Sequence, residues 1–165
     1  FLKETLVAPV PRLQIMAGRT FGGATVSVIQ GLLVLIVCLI AGFRPTHIST
    51  LPQVALFMVL ISVVFAALGT AIGSTLQNMQ GFQLIMNFLV MPIFFLSGAL
   101  FPLNGLPKGL VIATSVDPLT YGIDGLRGAF IGVSHFGTAT NVTVLCVVGA
   151  IFIGLGARAF SKIQI

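Results

Sequence analysis

ISTLPQVALFMVLISVVFAALGTAIGSTLQNMQGFQLIMNFLVMPIFFLSGALFPLNGLP, residues 48–107, carries no formal charge and holds two apolar segments split by the polar turn Gln77-Asn78-Met79-Gln80-Gly81. A bilayer core about 30 Å thick takes roughly 20 apolar residues of helix to cross. The stretch therefore reads as two membrane spans, about 51–76 and 82–101, with their connection. Ser49 or Thr50 stands where the first of them needs a cap, and Pro52 is tolerated in a first turn. Outward from this stretch, TFGGATVSVIQGLLVLIVCLIAGF (20–43) is uncharged and apolar, closed by Gly42, Arg44 and Pro45, and 139–157 is a fourth such segment. The expected fold is an all-α integral membrane protein with four transmembrane helices.

Composition agrees. Hydrophobic residues make up 57% of the chain and charged residues 7%, against roughly 25% charged in soluble domains. The net charge of +5 comes from basic residues scattered singly, so no nucleic-acid surface is expected. Cys38 and Cys146 sit in separate apolar runs without C-x-x-C spacing, which points to buried, inert thiols and leaves a pairing between them open.

Charge placement sets the topology. Lys3, Arg12 and Arg19 precede the first span, and Arg158 and Lys162 follow the last. Four crossings put both ends on one side, and the positive-inside rule makes that side the cytoplasm. Arg44, His47 and the segment 102–138 then lie outside. In that segment Pro102, Pro107 and Pro118 and several glycines break apolar pieces too short to cross, Leu110–Val116 and Ala129–Val133. A pair of short helices, dipping into the outer leaflet or packed over the span tops, is expected there. Asp117 is placed to cap a helix begun by Pro118.

At the other end, Leu2 and Leu6 share one helical face opposite Lys3, Glu4 and Thr5. Pro9 and Pro11 then force the chain off the helical path before a new helix starts near Arg12. A short amphipathic cytoplasmic helix joined to a span by a stiff elbow (residues 1–11) transmits a push on the helix into the span.

Several chemistries have no residues to support them. No Asp or Glu lies within a span, which argues against proton-coupled transport by this chain alone. No P-loop, G-x-S-x-G or H-E-x-x-H occurs, so any ATP binds elsewhere and the chain is not expected to be an enzyme. His47 and His135 are isolated loop histidines.

Three stretches together resemble the membrane subunit of ATP-binding cassette exporters of the type-2 permease family: LVAPVPRLQIMAGRT (6–20), MPIFFLSGALFPLNGLP (91–107) and DPLTYGIDGLRGAF (117–130). The family has six spans and this chain four, so the N-terminal tail and first two spans are expected upstream of the abrupt start at Phe1. Pro11 stands where relatives often have a capping Ser. The resemblance covers essentially the whole chain as one permease domain (1–165), and the multidrug-type branch looks nearest.

The resemblance implies a coupling helix at the N-terminus, with Lys3, Glu4, Leu6, Pro9, Pro11 and Arg12 as ATPase-coupling residues. It implies two ATPase subunits, which bind ATP and Mg, and a second permease, while this chain binds no cofactor. It also implies location in the cytoplasmic (inner) membrane and export of an amphipathic drug, lipid or lipid-linked glycan. The external gate segment would use Pro102, Pro107, Pro118, Tyr121, Asp124 and Arg127.

Each residue also has a plainer reading. Lys3 and Glu4 form a solvated face; Arg12 and Arg19 anchor to phospholipid. Asp124 and Arg127, spaced i, i+3, make an ion pair that braces the segment. Tyr121, the only tyrosine, serves as an interfacial anchor. Gln30, Gln83, Asn87 and Ser97 line a substrate path or simply bond between helices. Gly69 and Gly73 form a G-x-x-x-G that lets helices approach, within one subunit or across a dimer. Pro92 kinks its span, and Ser97-Gly98 softens the same helix near its outer end. The rival class for the whole chain is a structural or assembly membrane protein that transports nothing.

Overall fold

The computed structural model describes residues 11–45, 48–76, 78–100 and 108–161. Among these residues the chain is helical without strands: α1 (Arg12–Ile40), a 3-10 turn (Ile48–Thr50), α2 (Leu51–Thr75), α3 (Met79–Leu96), α4 (Lys108–Val116), α5 (Pro118–Ile131) and α6 (Thr138–Ser161). Of the coupling helix and elbow expected over residues 1–11, all but Pro11 lies outside the described residues, including Lys3, Glu4, Leu6 and Pro9, as do Pro102 and Pro107. Pro11 immediately precedes α1, and its carbonyl accepts from Gln14 and Ile15 to open the helix.

Three helices are long and apolar enough to cross a membrane: Leu13–Ile40, Leu51–Thr75 and Thr138–Ala159. Only 6% of the most apolar window of α1 is buried in protein, so the rest of that surface is suited to lipid. Four hydroxyls inside these helices are satisfied locally, while the buried Thr20 Oγ1 of α1 has no partner among the described residues. Thr25 donates to Phe21, Ser27 to Gly23, Thr70 to Ala66 and Thr143 to Ala139, each to the carbonyl one turn back.

The fourth expected span, 82–101, is shorter than the sequence suggests. α3 has 18 residues, about 27 Å at 1.5 Å per residue, which is the low end of what crosses a bilayer. It stops at Leu96 because Gly98 takes φ +76, a left-handed conformation that ends the helix before the apolar Ala99-Leu100 can extend it. Pro92 lies inside α3 and, having no N–H, leaves the Phe88 carbonyl without its helical donor.

The bundle is organised around α2, which packs most closely on α6 and α1 and then on α5. Lipid tails offer no hydrophobic drive between helices, so contact depends on fit and small residues. Two core clusters lie along the axis. Met16 and Ala67, with Ala71, Phe152, Ile153 and Ala157, bring the start of α1 to the end of α6. Phe57, Val64 and Leu145, with Ile61, Leu126 and Val142, join α2, α5 and α6 toward the opposite end. Residues 12–19 and 152–161 therefore lie at the same end of the bundle.

No α3 residue enters either cluster. Cys38 and Cys146 are free thiols on the outside of the bundle, contrary to the burial expected. Apolar surroundings in sequence mean burial in a soluble core, but in a membrane helix they serve equally on the lipid face.

Candidate functional site: the α4–α5 hairpin and the clefts beside α3

The segment before α6 folds as two short helices, and the sequence explains where each starts. Asp117 precedes α5 with extended backbone, its carboxylate accepts from Leu119 N–H at 2.9 Å, and Pro118 fills the first turn. The two helices do not lie over the span tops. Thr50 Oγ1 donates to Ala129 O at 2.6 Å, Gly125 lies on Phe57, Gly122 lies on Ile61, and Leu119 reaches the level of Ile61 to Ala66. Residues taken backward along α5 thus meet residues taken forward along α2. The two helices are antiparallel, and α5 runs beside roughly the first half of α2.

Gly122 and Gly125 make this approach close. A Cβ on Gly125 would sit inside the Phe57 ring, and one on Gly122 would collide with Ile61. Neither glycine was singled out from sequence. Their signal was present as G-x-x-G within YGIDGLRG, a small-residue spacing of the kind that marks close helix contact.

Asp124 is the most connected side chain of the segment. It is 3% exposed, and its carboxylate accepts from Asn141 Nδ2 (2.9 Å), His135 N–H (2.7 Å), Phe136 N–H (3.1 Å) and Ser134 Oγ (2.8 Å). Burial by itself raises its pKa, but these four donors outweigh that and hold the carboxyl below its ordinary value. Asp124 therefore works as an anion that fastens α5 to the entry of α6.

The ion pair expected between Asp124 and Arg127 does not form. Arg127 points away and donates from Nη2 to Gly98 O at 2.9 Å, reaching the end of α3. Tyr121 donates to Ser115 O at 2.8 Å and stacks its ring at 4.9 Å from that of Phe136. It ties α4 to α5 and to the loop before α6. Thr50 does not cap α2 with its side chain, because its hydroxyl is committed to Ala129.

Asp117 differs from Asp124. Its second oxygen is buried with no hydrogen bond, and Thr120 Oγ1 nearby is equally unsatisfied. Burial raises its carboxyl from 3.8 to about 6, opposed in part by the Leu119 N–H and the proximity of the Thr120 hydroxyl.

The residues proposed for a substrate path do not converge. Gln30, Gln83 and Asn87 are exposed on the bundle surface, while Ser97 is buried and donates to Phe94 O at 2.7 Å. Clefts occur instead on the two flanks of α3. One of about 440 Å³ lies among α1, α2, α3 and Leu119 of α5, lined by Ser27, Ile61, Phe65, Met86 and Phe94 among others. A second of about 380 Å³ separates α3 from the hairpin, lined by Phe88, Pro92, Leu96, Ala113, Val116 and Asp117. Both fall within the 300–1,000 Å³ range of ligand pockets, and apolar side chains make most of their walls. Gly69 and Gly73 face Met86 and Phe82 of α3 within the same chain.

Comparison with known proteins adds the last element. The sequence profile described as ABC-2 type transporter matches residues 1–131. The chain is 32% identical to the inner membrane transport permease YadH of Escherichia coli K12, over 88% of this chain and 56% of that protein. It is 30% identical to the putative transport permease ycf38 of Porphyra purpurea over 77% of this chain and 44% of the relative. With nodulation protein J of Rhizobium leguminosarum bv. viciae the identity is 26%, over 81% and 51%. The chain thus spans about half the length of the curated relatives it matches. No solved structure gives a significant match. A multi-pass helical membrane chain matched across most of its length in this way belongs to the ABC-2 type transporter family.

Proposed function

We propose that the chain is the membrane permease subunit of an ATP-driven exporter of the inner membrane, moving an amphipathic drug, lipid or lipid-linked glycan outward. The observation that carries this reading is the family match. Two features fit it. The apolar clefts beside α3 suit the apolar part of such a substrate, and these residues hold no ATP-binding loop, so ATP and Mg bind elsewhere, in this reading on partner ATPases.

In this reading the end of the bundle with residues 12–19 and 152–161 is cytoplasmic, and α3 makes the fourth crossing. Residues 1–11, with Lys3, Glu4 and the Pro9–Pro11 elbow, receive the ATPase movement and pass it into α1. A second permease completes the path. α3 offers it an apolar stripe: Leu84, Phe88, Met91 and Phe95 are 72%, 82%, 60% and 53% exposed at helical spacing.

The test is co-purification of the permease with its ATPase, followed by substrate-stimulated ATP hydrolysis in proteoliposomes. Loss of both on changing Glu4 or the Pro9–Pro11 elbow is expected. Full substrate movement without any ATPase contradicts the reading, and a complex that hydrolyses ATP but never responds to substrate favours an assembly role.

A further inference from the structure

We propose that Asp117 is a proton-binding site carried inside the membrane by the α4–α5 hairpin. Its effect on transport rests on the export reading; its chemistry does not.

No acid lies within a span of this chain, but the fold brings one to that depth by another route. Ala129 meets Thr50, Gly125 meets Phe57, Gly122 meets Ile61, and Leu119 borders Ile61, Ser62, Phe65 and Ala66. Asp117 stands at the turn between α4 and α5, about 18 Å of helix from Ala129 at 1.5 Å per residue. α2 has 25 residues and is about 37 Å long, so the carboxyl lies level with its middle. Every contact in this register is made within the chain, as is the burial of the carboxyl. Neighbours added around the bundle leave both in place.

An ionised side chain at that depth is costly unless it is paired. Asp117 is 7% exposed. Its Oδ1 accepts from Leu119 N–H, but Oδ2 is covered and has no donor among the described residues. The neighbouring Thr120 hydroxyl is fully buried and equally without a partner. The elements around Asp117 bring no counter-ion. Residues 48–107, which include all of α2 and α3, carry no charge, and Lys108 opens α4 at the end away from Asp117. On α5, Tyr121 donates to Ser115 O, Arg127 donates to Gly98 O, and Asp124 is bound by the donors at the entry of α6.

The helix N-terminus and the Leu119 N–H favour the anion, but the hydrogen bond serves one oxygen only, and burial outweighs it. A proton on Oδ2 removes the charge and lets that oxygen donate, with Thr120 Oγ1 as the adjacent acceptor. The proton comes from water on uptake and returns to water on release. Release leaves an unpaired charge at the tip of the hairpin and so weakens its seat in the membrane.

The test is infrared difference spectroscopy on the assembled permease–ATPase complex in lipid nanodiscs, wild type minus Asp117→Asn, across pH. Midway between pH 3.8 and about 6, the wild type should show the carbonyl band of a protonated carboxylic acid that the variant lacks. The band should fade only as pH passes about 6 or higher. Thr120→Val should keep the band and shift its frequency, because the acid loses its acceptor. Carboxylate bands in its place at the midway pH overturn the proposal. In proteoliposomes, transport per ATP hydrolysed should fall as pH rises through the same midpoint, while Asp117→Asn, neutral throughout, holds its rate. A fall of wild-type size in Asp117→Asn overturns the effect on transport. The infrared band without transport at any pH counts against the export reading and leaves the proton site standing.

Discussion

α5 and α3 are neighbours of similar apolar character, yet the molecule holds them in opposite ways. α5 is bonded by side chains to every element around it except α1: Thr50 of α2's lead-in, Gly98 after α3, Ser115 of α4, and the Asn141 and 134–136 donors at the start of α6. Among the described residues α3 has one such attachment, at Gly98 just past its end. The difference shows that burial alone does not fix a helix in lipid. Where surroundings are as apolar as the helix itself, polar bonds and close small-residue contacts decide which elements move together.

That contrast breaks most readily at Asp124. Asp124→Ala removes the acceptor of four donors, Asn141 buried and the other three part-buried, and is expected to cost about 3–5 kcal/mol, since hydrogen bonds to a charged group are individually large. The check is thermal unfolding of the purified complex. The carboxyl is held below its ordinary value, so its contribution is present above the unfolded pKa of 3.8 and disappears as pH falls through the lower folded value.

Gly125→Val comes next. It forces a branched side chain into the Phe57 ring and is expected to cost about 3 kcal/mol, the upper part of the usual range for overpacking. Val37→Ala on the exposed face of α1 is the control and should stay within about 0.5 kcal/mol. Thr50→Val, which loses one part-buried hydrogen bond to Ala129, should cost about 1 kcal/mol.

The smallest effect at low pH falls at Asp117. Asn caps a helix about as well as Asp, so Asp117→Asn should leave stability within about 0.5 kcal/mol below pH 3.8, where both side chains are neutral, and raise it at neutral pH, where the native carboxylate is charged. Its mark is in the pH profile. Asp117 titrates near 6 in the fold and at 3.8 unfolded, so its protonated form favours the folded state at low pH. That advantage is lost as pH rises from 3.8 through about 6, and the Asn variant should remove this slope.

The spans were legible because length and hydropathy alone predict them, and 51–76 and 139–157 agree with α2 and α6 to within a few residues. The hairpin was legible from Pro118 and the apolar pieces around it, and the Asp117 cap from its place before that proline. What escaped were bonds whose partners leave no mark in sequence. The amides of His135 and Phe136 and the carbonyl of Gly98 belong to backbone that any residue provides. The i, i+3 spacing of Asp124 and Arg127 suggested a pair, but the two side chains are drawn to opposite neighbours, one to α6 and one to α3. Span 82–101 ran too far because Ala99 and Leu100 are apolar, and only the backbone at Gly98 shows that the helix has already ended.

Thermal unfolding of the assembled complex, with Asp124→Ala and Arg127→Ala compared side by side, separates the fastened block from the tethered helix most directly. The midpoint should fall by many degrees for Asp124→Ala and only slightly for Arg127→Ala, while transport is lost in both. Equal drops in the two variants, or a larger one for Arg127→Ala, would contradict the division between them.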